Sequence, residues 1–289
     1  MKYLVIFTFL ISIVSNLNAQ QINFRDTSLH FNQSFTKCEK RWVVLSPRDS
    51  DKTYNFGFIY IDEQAGFTYD LQGVFRVGEN NKYIRDTVIF KKMGSIKYRI
   101  SPNWKKVALL PLVHFAELGI KSQPEWVQNY YAYTDTIAHN YRWGWIYNDL
   151  DEPEIALSFL EKAYRANRHA KGVEFEMAYA YNSLNRNSAA IAVLEPALQN
   201  DSNNMLFYKE LGYAYQHEKQ FYKAIVIYSQ GLRHSNADKS QSKGELAYNL
   251  AQCYKVLQKG DEYKKWMFAA KEYTPTNSQI FKAIVAAGF

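Results

Sequence analysis

Three stretches decide how this chain is built: 144-GWIYNDLDEPEIALSFLEKA-163, 178-AYAYNSLNRNSAAIAVLEPA-197 and 212-GYAYQHEKQFYKAIVIYSQG-231. They open on Gly144, Ala178 and Gly212, spaced 34 residues apart. Tyr147, Tyr181 and Tyr215 follow at the same interval, then Ala156, Ala190 and Ala224, then Ala163, Ala197 and Gly231. A fourth copy is displaced by a polar insertion near Arg233 to Lys243. It supplies Ala251, Tyr254 and Ala270, with Tyr263 in a slot where the others carry alanine. A period of this length predicts one supersecondary unit per copy, stacked on its neighbours. Small residues let the two helices of a hairpin approach closely, and the tyrosine fills the gap to the next helix. Amphipathic helices of no common origin would not hold three registers in step.

The punctuation between the slots agrees. Asp151-Glu152-Pro153-Glu154, Asn187-Ser188 and Gly260-Asp261 stand where the second helix of a unit should begin. The pattern resembles the tetratricopeptide repeat family from about Ile137 to Thr276. The resemblance implies four repeats, 137–170, 171–204, 205–238 and 244–275. Pro275 matches the family's repeat-ending proline, whereas the first three copies have Arg168, Ser202 and Asn236. The signature tryptophan near each repeat start is missing, and Pro196 falls inside a predicted helix, which it should kink. Thr276-Asn277-Ser278-Gln279 reads as a capping box that opens a final helix, so 276–289 is expected to cap the stack. That helix carries Ile280, Phe281, Ile284 and Val285, which predicts either cover on both sides or a partner, self-association included.

The resemblance also implies a concave groove lined by first-helix positions. Carried onto this chain, these are Tyr141, Trp145, Asn148, Phe175, Tyr179, Asn182, Lys209, Tyr213, Gln216, Tyr248, Gln252 and Lys255. Steps of four and three keep such residues on one helix face. Trp145, Tyr179 and Tyr213 would form an aromatic ladder beside amides and lysines, suited to a protein or peptide partner. An alternative reading packs the N-terminal half against this face. The carboxylate clamp of the family, which grips acidic C-termini, is not matched, because Lys209 lacks companion cations in register.

Ahead of the repeats the period is two. Trp42-Val43-Val44-Leu45, the alternating Tyr54, Phe56, Phe58 and Tyr60, Leu71 to Val77, Tyr83 to Phe90 and Ser95 to Ile100 read as strands. Gly57 marks a bulge or close approach, and Gly78-Glu79-Asn80-Asn81 a hairpin turn. Residues 20–121 are thus expected to form a small antiparallel β-rich domain, a sheet or barrel, that matches no family pattern. The segment Val107 to Ile120 holds Pro111 and has no assigned class. Ser122-Gln123-Pro124-Glu125 has capping-box form, so a connecting helix is expected over 122–136. The fold class is α+β multidomain: a β-rich N-terminal domain, then an all-α repeat solenoid with a C-terminal capping helix.

Residues 1–19 read as a signal peptide. Lys2 precedes an apolar run from Leu4 to Val14 too short to span a bilayer, and cleavage is expected after Ala19. The protein is therefore expected to be exported, to a periplasmic or extracellular space.

The 289 residues suffice for two cores, and 47% hydrophobic with 22% charged residues is ordinary for a globular chain. The 23 tyrosines lean toward sticky, amphipathic surfaces. The net charge of +7 is dispersed rather than gathered in a stripe, which argues against nucleic acid and permits membrane-surface association without indicating it.

Of the six histidines (His30, His114, His139, His169, His217 and His234) none pair at metal-ligand spacing, and Cys38 and Cys253 are far apart in sequence. No phosphate loop, nucleophile elbow or Ser-x-x-Lys set is present. No cofactor, metal or catalytic residue is expected. The competing class is a glycan-binding or glycan-active protein, with Tyr54, Phe56, Phe58 and Tyr60 as a stacking face or Asp62-Glu63 and Asp70 as a carboxylate pair.

Overall fold

The computed structural model describes residues 26, 28–48, 51–93, 96–101, 104, 106–235 and 240–289. The expected signal peptide, 1–19, lies outside the described residues. Six strands, β1 (Arg41–Leu45), β2 (Tyr54–Asp62), β3 (Gly66–Val77), β4 (Tyr83–Arg85), β5 (Ile96–Arg99) and β6 (Val107–Leu109), form one antiparallel sheet. Their order is β4-β3-β2-β1-β6, and β5 shares the outer edge of β3 with β4. The sheet is open, not a barrel. The β2–β3 register shifts between Phe56 and Gly57. A Cβ on Gly57 would fall 2.6 Å from two Tyr69 ring carbons and nearer still to the Asp70 carbonyl, so the close approach requires glycine.

Alternation splits the strands between two cores. Trp42, Val44, Tyr54, Phe56, Phe58, Tyr60 and Phe75 face one way, under Trp126, Phe115, Leu118 and Tyr130. Phe56 and Phe58 are 0% exposed and Tyr60 1%, so this aromatic face is closed core and offers nothing for a sugar to stack on. Asp62 and Asp70 do not pair: Asp62 caps the β2–β3 turn through the Gln64 and Ala65 N–H groups, whereas Asp70 lies opposite Phe58 and faces Lys97 at 3.8 Å.

Two expectations fail here. The strand from Tyr83 stops at Arg85, and Phe90 lies in a helix, α1 (Thr87–Met93). Asp86 causes the switch, its carboxylate accepting from the Val88 N–H at 3.1 Å and its carbonyl from Phe90. The connecting helix over 122–136 is only a 3-10 turn, Glu125–Tyr130, followed by irregular chain. The capping box does not form: the turn starts after Pro124 with no side-chain cap, and Glu125 lies against Lys121 in an exposed pair. Aromatic anchors then hold the segment flat on the sheet, with Trp126 edge-on to Phe58 and Tyr60 and the Tyr131 hydroxyl accepting from the Ile61 N–H at 2.9 Å. The unassigned stretch after Val107 holds β6 and a short helix, α2 (Phe115–Leu118), which Gly119 ends at φ 64°.

Eight helices follow as four hairpins: α3 (Ile137–Asp149) with α4 (Pro153–Ala166), α5 (Val173–Ser183) with α6 (Asn187–Asn200), α7 (Met205–His217) with α8 (Phe221–His234), and α9 (Gln241–Val256) with α10 (Gly260–Tyr273). α6 continues through Pro196. The four hairpin turns are alike. Asp151, Asn185, Lys219 and Gln258 each take a left-handed φ of 56–60°. The next N–H in each returns to the carbonyl of Tyr147, Tyr181, Tyr215 or Tyr254 at 2.8–2.9 Å. That is a Schellman closure built without glycine. The small slots meet large partners across each hairpin: Gly144 meets Leu160 and Gly212 meets Tyr228, while Ala178 and Leu194 share one core and Ala251 and Met267 another.

The final helix, α11 (Gln279–Ala286), starts at Ser278 rather than Thr276, the Ser278 hydroxyl accepting from the Phe281 N–H. It buries Ile284, leaves Val285 48% exposed and ends with Phe289 packed on Tyr263 and Phe268.

The second face of the sheet joins the repeats. Val43, Ile59, Ile61, Phe67 and Tyr69 share one core with Trp143, Ile146, Tyr147 and Leu150 of α3. The Glu39 carboxylate ties the joint by accepting from Tyr147 at 2.7 Å and Tyr131 at 2.9 Å. The sheet thus covers the end of the stack. Cys38 and Cys253 are free and buried in separate cores, and burial pushes their thiols up to about 11 and about 12.

Candidate functional site

The first helices α3, α5, α7 and α9 lie side by side, so residues at equivalent positions form rows down one face. Two adjoining clefts open on this face and share Tyr179. One, of about 350 Å³, is walled by Tyr179, Tyr213 and Tyr248, floored by Asn182, Lys209 and Glu210, and closed at one end by Ile280 of α11. The other, about 170 Å³, lies between Trp145, Asn148, Phe175 and Glu176. No residue before Trp145 lines either cleft among the described residues. The described residues of the N-terminal half pack on the end of the stack, and Arg99 reaches the rim of the smaller cleft at Asp149.

Eight of the twelve residues carried over from the family pattern line these clefts; four do not. Tyr141 packs beside Gly172, whose φ of 86° brings it under the tyrosine ring. Gln216 accepts from the Tyr228 hydroxyl at 3.1 Å, Gln252 points at the Met267 sulfur, and Lys255 lies over the Tyr263 ring. Within the ladder the three rings differ. Trp145 is half-buried against the core shared with the sheet and covered by Arg142, Tyr179 is 40% exposed, and Tyr213 stacks on His217 at 4.0 Å.

Paired amides and carboxylates build the floor. The Asn148 Nδ2 donates to the Glu176 carbonyl at 3.0 Å and to its carboxylate at 2.8 Å; Asn182 does the same to Glu210 at 3.1 and 3.0 Å. These side chains are almost wholly buried, and each asparagine keeps an Oδ1 with no partner. Each amide locks one first helix to the next. Glu176 and Glu210 are absent from the family-based set, yet they recur at the same 34-residue interval as the small slots.

Burial raises the Glu176 carboxyl above its ordinary value, and the charges of Glu210 and Asp149 push the same way against the Asn148 hydrogen bond. A carboxyl raised on folding costs stability above its folded pKa, and the cost is gone once pH falls below the unfolded value near 4.5. Glu176→Gln keeps an acceptor for Asn148 and removes the charge. The variant is expected to be more stable than the parent at pH 7, with the difference closing toward pH 4.5. Urea denaturation at the two pH values measures this, and a variant less stable at pH 7 would contradict it.

Repeating Schellman turns, small-to-large slots across each hairpin and an amide ladder between hairpins together define the architecture. The helical half has a tetratricopeptide (TPR)-like helical-repeat fold. No protein-family model matches the chain, and no curated protein matches it in sequence. Among solved structures it is similar to TTC0263, a thermophilic TPR protein of Thermus thermophilus, at 18% identity over 52% of this chain and 80% of that one, TM-score 0.46. A MamA crystal structure is similar at 20% identity over 48% of this chain and 73% of that one, TM-score 0.43. MamA from Desulfovibrio magneticus RS-1 is similar at 13% identity, covering 61% and 83%, TM-score 0.41.

Proposed function

We propose that the chain is an exported scaffold that holds an extended peptide or protein segment along the concave face of its repeats, in the assembly of an envelope or secreted complex. The open cleft between Tyr179, Tyr213 and Tyr248 carries this reading. Large rings supply contact area with few rotatable bonds, and the neighbouring amides and hydroxyls suit a peptide backbone. The aromatic face of the sheet formed by Tyr54, Phe56, Phe58 and Tyr60 is used up as core, so a glycan reading would have to use another surface of the β-half, such as the cleft between Arg41, Leu112 and Phe115.

Tyr179→Ala and Tyr213→Ala test it. Each should weaken capture of the partner from the exported fraction about tenfold or more, as truncation of an interface aromatic does. Tyr179→Ala should leave the melting temperature nearly unchanged, because the ring is 40% exposed. Binding that survives both substitutions would remove the concave face from consideration. Export itself rests on the apolar run Leu4 to Val14, and the intact mass of the exported form should lack residues 1–19.

A further inference from the structure

Building on that reading of the concave face as a peptide site, we propose that it selects a cationic segment, one carrying lysine or arginine beside apolar residues. The charged residues lining the two clefts are Asp149, Glu176, Glu210, Glu245 and Lys209. Lys209 is already neutralised, its ammonium 3.4 Å from Glu210 and 3.2 Å from Glu245. Asp149 is 3.8 Å from Arg99 in an exposed pair. Glu176 accepts from the Asn148 amide and has no cationic partner among the described residues. The face therefore carries surplus negative charge on a chain whose net charge is +7.

The leftover chemistry points the same way. Asn148 and Asn182 are 95% or more buried, and their Oδ1 acceptors meet no donor among the described residues, next to carboxylates that only accept. Ammonium and guanidinium groups only donate. Lys209 itself shows the mode of holding: it lies between two carboxylates with its ammonium 5.9 Å from the Phe175 ring. A desolvated carboxylate such as Glu176 is costly while unpaired and gains most from a cation brought by a ligand. An acidic peptide would meet these carboxylates with no unpaired cation among the cleft-lining residues; at the edge, the Arg142 guanidinium is engaged by the Glu63 and Gln64 carbonyls and the Trp145 ring.

Three nine-residue peptides, each a tripled Xaa-Ala-Leu with Xaa as Lys, Gln or Glu, separate the possibilities by fluorescence anisotropy on the purified protein. Non-specific attraction to a basic protein would favour the Glu peptide, so the sign alone discriminates. The Lys peptide should bind at least about tenfold more tightly than the Gln peptide, and the Glu peptide more weakly than either. Glu176→Gln and Glu210→Gln should each shrink the Lys-to-Gln ratio about threefold or more, lowering Lys-peptide affinity more than Gln-peptide affinity, while circular dichroism shows both variants folded and Glu176→Gln no less stable than the parent. Tyr179→Ala should weaken both the Lys and Gln peptides. Equal Lys and Gln affinities, both lowered by Tyr179→Ala, would overturn the charge selectivity and leave the peptide groove standing. A Glu peptide that binds tightest also overturns it. No measurable binding, or Lys-peptide binding indifferent to Tyr179→Ala and to both glutamine variants, overturns the selectivity and the groove together.

Discussion

Trp143→Ala is expected to cost about 3–5 kcal/mol, the range for truncating a buried tryptophan or phenylalanine, and to lower a single melting transition shared by sheet and helices. Trp143 is 2% exposed and is among the largest fully buried side chains of the molecule. It packs against His139 at 4.1 Å and Tyr133 at 5.2 Å, and it belongs to the core that also contains Val43, Ile59, Ile61 and Phe67 of the sheet. A cavity there is felt on both sides of the joint, because neither the five-residue β1 nor α3 can collapse into it without leaving its other partners. The two halves should therefore unfold together, which circular dichroism at a helix wavelength and tryptophan or tyrosine near-ultraviolet signals can follow in one scan. Two separate transitions, with only the helical one shifted, would show that the halves are independent and that the shared core contributes little.

That joint was the least legible part of the sequence. Trp143 and Tyr147 occupy ordinary repeat positions, and nothing in a local pattern says that Phe67 will lie edge-on to Tyr147 or that Glu39 will accept from it. Such contacts join residues far apart along the chain, and periodicity carries information only about neighbours. The repeats were legible for the opposite reason. Gly144, Ala178, Gly212 and Ala251 are set by contacts inside one hairpin, so the same local demand is written four times. The β-strands were read from alternation, which worked for Tyr54 to Tyr60, where both faces bury alternate side chains. It failed at Phe90, because an apolar residue three or four steps beyond Asp86 fits a helix face equally well. The capping box at Ser122 failed where tertiary contacts outweigh a local motif: Trp126 and Tyr131 anchor the segment on the sheet, and only a short turn is left between them.

The concave face was legible only in its upper rim. Family positions picked out the rings, and the structure puts Trp145, Phe175, Tyr179, Tyr213 and Tyr248 along the clefts. Asn148 and Asn182, expected as groove amides, do line the clefts, and their Nδ2 groups also brace one first helix against the next through Glu176 and Glu210, a second task the family positions do not announce. A residue's face on a helix follows from its number, whereas the partner of its hydrogen bond depends on what the next repeat presents.

The hairpin slots yield the second large effect. Gly212→Ala should destabilise the protein by as much as about 3 kcal/mol, even though alanine is the better helix former by about 1 kcal/mol. The reason is space. A Cβ on Gly212 would fall 2.5 and 2.7 Å from two ring carbons of Tyr228, closer still to a third. That ring is 0% exposed and is held by its hydroxyl to Gln216, so it has nowhere to move. Gly260 is the matched control, at the start of α10 with nothing within 4 Å of an added Cβ. Gly260→Ala should stabilise by roughly 0.5–1 kcal/mol through the unfolded chain. The repeats also supply a rescue, since the second hairpin places Ala178 and Leu194 where the third has Gly212 and Tyr228. Tyr228→Leu alone should lose packing and a hydrogen bond, but Gly212→Ala combined with Tyr228→Leu recreates the second hairpin's arrangement. The double variant should be more stable than the sum of the single losses implies, by about 0.5–3 kcal/mol of coupling, the range for residues in contact. Thermal or urea unfolding of the four proteins closes the cycle. Additive losses, or a Gly212→Ala variant as stable as the parent, would mean that Gly212 and Tyr228 do not meet and that the slots of the repeat have some other purpose than close helix approach.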